Sequence, residues 1–287
     1  MKAITYIIFI FALVFCMTAC TEEIDLKLGN TSWRLVVEGM VTSDTMFQFV
    51  RLSKSGDFFA DKEMPGVSGA EVILSDGIGS LKLEETEAGS GFYITPYDYC
   101  GVPGRNYTLT IKNVDINNDG VSEVYKAESY MHPVSDVDSI KLLYEDSWDF
   151  WKVLLYAEEP PGLMPDYYMF SLFVNDTLFT DQLTEVTIFD DRFIDGSYAN
   201  GVWVHSFYND DEKYALNPGD TVTLRMSSID EVFYKYVIAL QGETRTSIPL
   251  FSGPPANLPG NISNGALGYF TAFSNSYGQT VFTGEKE

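Results

Sequence analysis

The chain has 287 residues, of which 41 are acidic and 18 basic, so its formal net charge is −23 at pH 7. This charge argues against nucleic acids and anionic surfaces as partners, because each phosphate contact needs a cation. Hydrophobic residues make up 45% and aromatic residues 15% of the chain, which favours strands and is enough to build one large or two medium domains.

Residues 1–19 form an apolar leader whose single charge is Lys2. A positive start, an apolar middle and an exit of small residues are typical of a secretory signal peptide. The leader is slightly short for a membrane span, which needs about 20 apolar residues, and acidic residues follow it. We predict that it is removed as a signal peptide, and loss of one positive charge then changes the net charge from −23 to −24.

The leader ends at Cys20, which follows the small residues Thr18 and Ala19. In a bacterial lipoprotein signal the cysteine is diacylated, and the signal peptidase requires small residues before it. We therefore predict that Cys20 is lipidated and begins the mature protein, while ordinary cleavage with a free Cys20 is the alternative. Two or three acyl chains would hold the protein at a membrane, at about 0.8 kcal/mol per buried methylene.

Lipidation of Cys20 and removal of Cys16 would leave Cys100 as the remaining thiol. No intrachain disulfide is then possible, so stability must come from packing. Cys100 has no histidine nearby in sequence to activate it as a nucleophile, and we expect it to be a buried apolar residue.

We predict an acidic tether over residues 20–32 and a β-sandwich domain over residues 33–132. The most regular strand places Tyr107, Leu109 and Ile111 on one face, and a Ser-Asp-Gly turn signal begins at Ser75. The predicted strands cover residues 33–39, 46–52, 70–74, 92–95, 107–112 and 121–131. Their spacing of roughly 8–12 residues is typical of a sandwich of about seven strands.

A domain boundary is predicted at His132, because the proline that follows it favours extended geometry. The second domain, residues 133–287, is also predicted to be rich in strands and to carry one helix. Its predicted strands cover residues 139–144, 150–157, 167–175, 184–189, 201–207, 221–227, 267–273 and 279–282.

The one predicted helix, over residues 229–241, is amphipathic. Ser228 and Glu231 form a capping box at its start, and Gly242 is expected to end it. We expect its apolar stripe to pack against the second sheet. The stripe consists of Ile229, Val232, Phe233, Tyr236, Val237 and Leu240.

An Asp-Ile-Asn-Asn-Asp-Gly stretch matches the opening of a calcium-binding loop. Asp115, Asn117 and Asp119 would supply oxygens at positions 1, 3 and 5. The twelfth position should be a bidentate Glu but is Lys126, and predicted strands flank the stretch. Our main interpretation is a hairpin whose Asn and Gly residues adopt positive φ. A Ca²⁺ site at these three residues is the alternative, and no other cofactor is predicted.

The sequence contains no recognisable catalytic motif. His132 and His205 are unaccompanied by a metal or nucleophile pattern, and adjacent acidic pairs at residues 190–191 and 210–211 do not favour a glycosidase pair. We therefore predict that the protein is not an enzyme.

Aromatic pairs are expected mainly to belong to the core, since aromatic residues in strands are more often buried. Stacking against sugars is the alternative for such pairs. The residues concerned are Trp148, Trp151, Tyr167 and Tyr168.

The sharpest motif covers residues 254–270, Pro-Pro-Ala-Asn-Leu-Pro-Gly-Asn-Ile-Ser-Asn-Gly-Ala-Leu-Gly-Tyr-Phe. We expect tight turns at Gly265 and Gly268 and a mainly structural role, with a ligand or partner contact as the alternative. Tyr269, Ala272 and Phe273 are expected to dock near the helix. Further characteristic segments are residues 35–39, 67–77, 132–134, 137–140, 218–222 and 228–230.

Together these segments resemble a Bacteroidota lipoprotein family filed as a domain of unknown function, over essentially all of the mature chain. The resemblance implies a transthyretin-like or carboxypeptidase-regulatory sandwich in the first part. Members of that family are commonly encoded beside TonB-dependent outer-membrane receptors, and none of its residues has an established catalytic role. The acidic residues after Cys20 also resemble the surface-export signal of Bacteroidota lipoproteins.

We therefore expect a mostly β, lipid-anchored outer-membrane protein that faces the cell exterior. The resemblance implies a non-enzymatic role in which it assists a TonB-dependent transporter in ligand capture or gating. One alternative is an independent glycan- or peptide-binding or adhesion module, and a second is a hydrolase with an unrecognised site.

Overall fold

The computed structural model describes residues 33–55, 64–162, 166–192, 196–209, 215–245 and 258–286. The predicted leader, tether and lipidation site Cys20 lie outside these residues, and so does the acidic pair 210–211. Within the described part of the chain there are 15 β-strands and one α-helix. No helix in that part has the length and apolar character needed to span a membrane.

The strands agree with the predicted ones with two kinds of exception: β4 and β11 had no counterpart in the sequence analysis, and β15 was predicted as two strands. Strands β1 to β7 are Leu35–Thr42, Phe49–Lys54, Glu71–Ser75, Ser80–Glu85, Phe92–Ile94, Asn106–Val114 and Glu123–Tyr130. Strands β8 to β15 are Val137–Glu145, Phe150–Glu158, Tyr167–Val174, Thr177–Leu178, Thr187–Asp190, Tyr198–Tyr208, Thr221–Ile229 and Leu267–Val281. Helix α1 is Glu231–Arg245.

Twelve of the described strands form one sheet, in the order β11-β10-β14-β15-β1-β2-β5-β4-β3-β6-β7, with β12 paired to β10. The β1–β7 end of this sheet folds over itself, because strands from both of its halves share one core. Val37 and Leu52 contribute from one layer, and Val72 and Leu109 contribute from the other. The predicted mostly β fold with an N-terminal sandwich is therefore confirmed.

Three further strands form a second sheet in the order β13-β9-β8. Its inner face, which includes Trp151 and Val153, packs against Phe170 on β10 and Leu224 on β14. Strand β10 is buried on both faces, since Met169 enters a different core from its neighbour Phe170. Burial on both sides explains why the sequence of β10 is apolar except at Ser171.

Helix α1 packs through Phe233 on the other face of β10, β14 and β15. Asp230 is its N-cap, because its Oδ1 accepts the backbone N–H of Phe233 at 2.7 Å. The predicted cap at Ser228 is wrong, since Ser228 still pairs within β14. Val232 is 54% exposed and so lies outside the buried stripe, and the helix continues past Gly242.

Strand β15 joins the two sandwiches. Its residues 267–273 run parallel to β1, and its residues 274–281 run antiparallel to β14. Two strands were predicted here, but Gly278 does not break the strand. A Cβ at that position would lie 2.5 Å from Val137 Cγ1, so the glycine allows β8 to approach. The domain boundary at His132 stays a prediction, although β15 pairs with strands on both sides of it.

The edge segment, residues 258–266, covers the free edge of β7. Asn261 Oδ1 accepts the N–H of Phe270 at 3.0 Å, while its Nδ2 donates to carbonyl oxygens on β15 and β7 at 2.8 and 3.1 Å. Ser263 exchanges two hydrogen bonds with the backbone of Lys126. The sharpest motif of the sequence thus satisfies backbone groups that an edge strand would otherwise expose.

Gly268 lies in β15 rather than in the predicted turn, with φ of 87°. A Cβ there would lie 2.0 Å from the carbonyl oxygen of Val37, so glycine is required for β15 to approach β1. Tyr269 and Phe273 pack in the core beneath the helix, as expected. Ala272 does not, because it points into the first sandwich.

Candidate functional site

A cavity of about 340 Å³ opens on the outer face of the three-stranded sheet. Alternation along β9 places Phe150 and Lys152 on this face, opposite the core residue Val153. The strand register sets Tyr208 beside Phe150. Trp148, in the turn between β8 and β9, is 76% exposed. We call this cavity the aromatic groove, and its lining is Glu145, Trp148, Phe150, Lys152, Trp203 and Tyr208.

The rings of the aromatic groove support one another. Buried Phe150 stacks on Trp203 with 5.6 Å between ring centroids, and its centroid lies 5.2 Å from that of Tyr208. Trp203 Nε1 donates to the carbonyl oxygen of His205 at 2.9 Å and to Ser206 Oγ at 3.1 Å. Since Trp203 is still 54% exposed, the groove presents a large ring in a fixed orientation.

One ion pair lies within the aromatic groove. Lys152 Nζ is 2.5 Å from Glu145 Oε2 and 5.1 Å from the ring centroid of Trp203. The hydrogen bond from Lys152 lowers the pKa of Glu145 below its usual value, so this carboxyl is ionised at neutral pH. The groove thus offers a strong acceptor and a strong donor whose charges balance.

A second cavity, of about 450 Å³, lies beside the aromatic groove and shares Trp203 and Tyr208 with it. It is bounded by the edge strand β13 on one side and by the residues before and at the start of β12 on the other. We call it the threonine cavity, because hydroxyl groups dominate its polar lining. The remaining lining residues are Thr180, Thr184, Glu185, Thr187, Val204, His205 and Ser206.

His205 forms part of the wall of the threonine cavity. Its Nδ1 lies 3.1 Å from Thr187 Oγ1, and its ring meets Phe207 edge-on. Burial lowers the pKa of His205 from 6.5 to about 4, although the charge of Glu185 opposes this effect. The imidazole is therefore neutral at pH 7, which suits hydrogen bonding better than proton transfer at that pH.

A separate group of three carboxyls lies where β9, β10 and β12 end or begin. Ligand oxygens of Glu159, Asp166 and Asp191 all lie within 4.8 Å of one another. Asp191 is buried and its Oδ1 accepts the N–H of Asp166 at 2.9 Å, while the hydroxyl of Tyr168 donates to Glu159 at 2.9 Å. Oxygen ligands suit Ca²⁺, but these hydrogen bonds also give the carboxyls a structural role. The three residues are distant in sequence, so no spacing indicated the cluster.

The predicted calcium loop forms the hairpin between β6 and β7. Asp115 accepts the backbone N–H groups of Asp119 and Gly120 at 3.1 and 2.8 Å. Asn117 Nδ2 donates to Asp119 Oδ2 at 2.9 Å, and Asn118 has φ of 58°. These oxygens therefore serve the turn. Ca²⁺ binding by Asp115, Asn117 and Asp119 stays a prediction, and a higher melting temperature in millimolar Ca²⁺ would support it.

The aromatic residues that were noted in the sequence separate into two groups. Trp151 and Tyr168 are buried, and Tyr167 packs on Tyr234 with 4.8 Å between ring centroids. Trp148 lines the aromatic groove. The other exposed rings of the groove, on β13, were missed because each stands singly within a strand pattern.

Two residues that were considered for catalysis, Cys100 and Asp190, lie in surroundings that do not favour it. Cys100 is exposed, and its Sγ donates to the carbonyl oxygen of Ser43 at 3.0 Å, so the expectation of a buried residue is wrong. Asp190 forms an ion pair with Arg192 and accepts a hydrogen bond from Tyr234 at 3.1 Å. The hydrogen bond from Arg192 lowers the pKa of Asp190, which suits a structural acceptor better than a general acid.

A family model described as Domain of unknown function (DUF4249) matches residues 21–278. Among curated proteins, none matches the sequence. The chain is similar to the crystal structure of chicken CNTN1 FN1-FN3 domains, with 12% identity and a TM-score of 0.27 over 68% of this chain and 60% of that chain. It therefore spans less than two thirds of the chicken chain. It is also similar to a "putative carbohydrate binding protein" from Bacteroides uniformis, with 11% identity and a TM-score of 0.21 over 68% of this chain and 88% of that one.

Proposed function

From the premise that the chain belongs to the family described as Domain of unknown function (DUF4249), we propose that it is a non-enzymatic lipoprotein of the outer membrane. In this proposal Cys20 carries the lipid, the folded body faces the cell exterior, and the protein captures a ligand for a TonB-dependent transporter. The observation that carries the proposal is the aromatic groove.

The aromatic groove favours ligand capture because its rings are exposed to solvent and are held in place by buried residues, as Phe150 holds Trp203. Large aromatic side chains are normally buried, and a cluster of exposed ones indicates a binding surface. Trp148 and Trp203 are 76% and 54% exposed and line the same cavity. The volume of about 340 Å³ lies within the usual range of small-molecule sites, roughly 300–1,000 Å³.

The sequence supports the location and the partner. The leader that ends at Cys20 favours lipidation, and the acidic residues that follow it favour export to the surface. The resemblance to lipoproteins that are encoded beside TonB-dependent receptors favours such a receptor as the partner. Capture at the cell surface would raise the concentration of ligand near a transporter to which the lipoprotein is bound.

The location is tested by labelling cells that express the full-length protein with an alkyne fatty acid. We expect the wild type to be labelled and to be digested by protease added to intact cells. Cys20→Ala should lose the label, whereas Cys100→Ala, the matched cysteine control, should keep it. An unlabelled wild-type protein would contradict the anchor, and protease resistance on intact cells with digestion after lysis would contradict the exterior location.

The partner is tested by purifying the full-length protein from outer membranes in a mild detergent. We expect a TonB-dependent receptor to co-purify in a fixed ratio, with the wild type and with Trp203→Ala alike. Absence of any receptor from a preparation of folded, lipidated protein would contradict the accessory role.

An independent binding module is the second candidate. It is favoured by the chemistry of the aromatic groove, whose exposed rings and ion pair can contact a ligand directly. Ligand binding together with the absence of a co-purifying receptor would favour this candidate.

A further inference from the structure

The aromatic groove and the threonine cavity share two aromatic residues, Trp203 and Tyr208. The two cavities therefore lie side by side, with volumes of about 340 and 450 Å³. One is lined mainly by rings and the other mainly by hydroxyl groups. A single ligand that enters both must offer apolar faces and many hydroxyl groups along its length.

The aromatic groove has the chemistry that a sugar ring requires. A pyranose carries C–H groups on its faces and hydroxyl groups at its edge, so a face packs on an aromatic ring while the edge needs polar partners. Trp148 and Trp203 supply exposed rings. The ion pair of Glu145 and Lys152 lies beside them and supplies an acceptor and a donor for hydroxyl groups.

The threonine cavity continues this pattern. Ser206 Oγ accepts the indole N–H of Trp203 at 3.1 Å, so this hydroxyl retains its own O–H as a donor. His205 is neutral at pH 7 and its imidazole both donates and accepts. Ligand hydroxyl groups, which also donate and accept, match such a lining.

Other ligand classes fit the two cavities less well. Glu185 lines the threonine cavity, the charge of Glu145 in the aromatic groove is balanced by Lys152, and the whole chain has a net charge of −23, so anionic ligands are disfavoured. A peptide would have to add along the free edge of β13. That edge is interrupted by a bulge between Trp203 and His205, and the indole N–H already occupies the carbonyl oxygen of His205.

We propose that the aromatic groove and the threonine cavity together bind one neutral oligosaccharide, which crosses from one cavity to the other over Trp203 and Tyr208. This inference rests on the proposed ligand-capture function and names its ligand class.

The test uses full-length protein purified in detergent and an array of neutral oligosaccharides that includes cellohexaose, mannohexaose, xylohexaose and maltohexaose. Hexagalacturonate and a library of hexapeptides serve as the anionic and peptide probes. We expect at least one neutral oligosaccharide to bind, and its disaccharide to bind at least about tenfold more weakly because it cannot span both cavities. Calorimetry on the best ligand then gives the affinities of the variants.

We expect Trp203→Ala to weaken that affinity about tenfold or more, since buried and ordered aromatic contacts dominate binding. Trp33→Ala is the matched control, because Trp33 is 49% exposed but lies outside both cavities. Trp148→Ala is the second variant in case Trp203→Ala does not fold, as judged by its melting temperature. Trp203→Phe should restore part of the affinity.

Binding of peptide but not of oligosaccharide, binding of no neutral oligosaccharide by folded protein, or equal losses in Trp203→Ala and Trp33→Ala would each overturn the inference. These outcomes leave fatty-acid labelling and receptor co-purification unaffected, so the proposed function would stand with another ligand. Conversely, oligosaccharide binding without lipid or receptor would overturn the accessory role and leave this inference intact.

Discussion

The edge segment and the aromatic groove are two surface regions that the sequence encodes in different ways. Residues 258–266, with Gly268 just beyond them, form a continuous run whose glycines and asparagines each meet a backbone requirement. The groove is assembled from a turn and three strands, β8, β9 and β13, and its residues are spread over residues 145–208.

The contrast shows that a recognisable motif need not mark a binding site. Asn261 and Ser263 are polar residues of the kind that often contact ligands. Here their side chains form hydrogen bonds with backbone groups at strand edges, so their role is structural. The rings of the groove have no sequence signature, because a tryptophan on the outer face of a strand has the same spacing as one on the inner face. We expect changes in the first region to affect stability and changes in the second to affect binding.

The largest effect is expected for Gly268→Ala. Its Cβ would lie 2.0 Å from the carbonyl oxygen of Val37, and β15 would have to move away from β1. We expect a loss of more than about 3 kcal/mol in the free energy of unfolding, or no folded protein. Gly120→Ala is the matched control, because Gly120 has φ of 86° but nothing within 4 Å of its Cβ position.

The control should lose only about 1–2 kcal/mol, which is the cost of a left-handed alanine. Urea unfolding measures both variants. Equal losses in the two variants would show that backbone conformation, and not the contact with Val37, explains the glycine at position 268.

A smaller loss is expected for Asn261→Ala, which removes an acceptor and two donors from strand edges. We expect about 2–3 kcal/mol, at about 1 kcal/mol per hydrogen bond. Asn261→Asp keeps the acceptor for the N–H of Phe270 but sets a carboxylate oxygen against the two carbonyl oxygens, so it should lose at least as much. If both variants unfold at the wild-type urea concentration, the edge segment does not stabilise β7.

Protonation of His205, which lines the threonine cavity, should make the free energy of unfolding depend on pH. The pKa of His205 is about 4 in the folded protein and 6.5 as the reference value, so the unfolded chain binds the proton more readily. Stability should therefore be independent of this residue above pH 6.5 and fall as the pH decreases from 6.5 to 4, by at most about 1.4 kcal/mol per pH unit.

His205→Gln should remove this residue's part of the slope and keep the loss at lower pH, which arises from carboxyls such as Asp76, whose pKa is lowered by backbone hydrogen bonds, and Glu145, whose pKa is lowered by the hydrogen bond from Lys152. Thermal melting at successive pH values gives the result. An unchanged slope between pH 6.5 and 4 in His205→Gln would assign it to other groups.

The smallest effect on stability is expected for Trp148→Ala, because the side chain is 76% exposed. We expect the free energy of unfolding to change by no more than about 0.5 kcal/mol. Trp151→Ala, three residues away and 5% exposed, should lose about 3–5 kcal/mol. A loss in Trp148→Ala comparable to that of Trp151→Ala would show that the groove is part of the packed core.

The fold was largely predictable because alternation and turn signals act locally. The half-buried strand β6 follows from Tyr107 and Leu109, and the turn after β3 follows from Asp76, whose Oδ1 accepts two backbone N–H groups. The helix cap was misplaced because Ser228 and Asp230 are both good caps, and pairing with β15 decides between them. Local sequence carries no information on that pairing.

The candidate site was less predictable for the same reason. Trp148 was noted as an aromatic residue, but its partner Trp203 lies 55 positions away and is brought close by the pairing of β9 with β13. The acidic cluster around Asp191 likewise depends on the positions of three strands. Which face of a strand is covered is decided by sheet packing, and packing is a non-local property.

The order of the strands also constrains when the protein becomes folded. Strand β1 pairs in parallel with β15, and more than 200 residues separate the two in the chain. Contacts of such long range form slowly, because a large loop must close first. A chain emerging from a translocation channel would keep its N-terminal sandwich incomplete until residues 267–281 had crossed. If the chain is exported as we propose, late closure of this kind would keep it unfolded while it crosses the membrane, and chaperones that bind unfinished sheets would assist its folding.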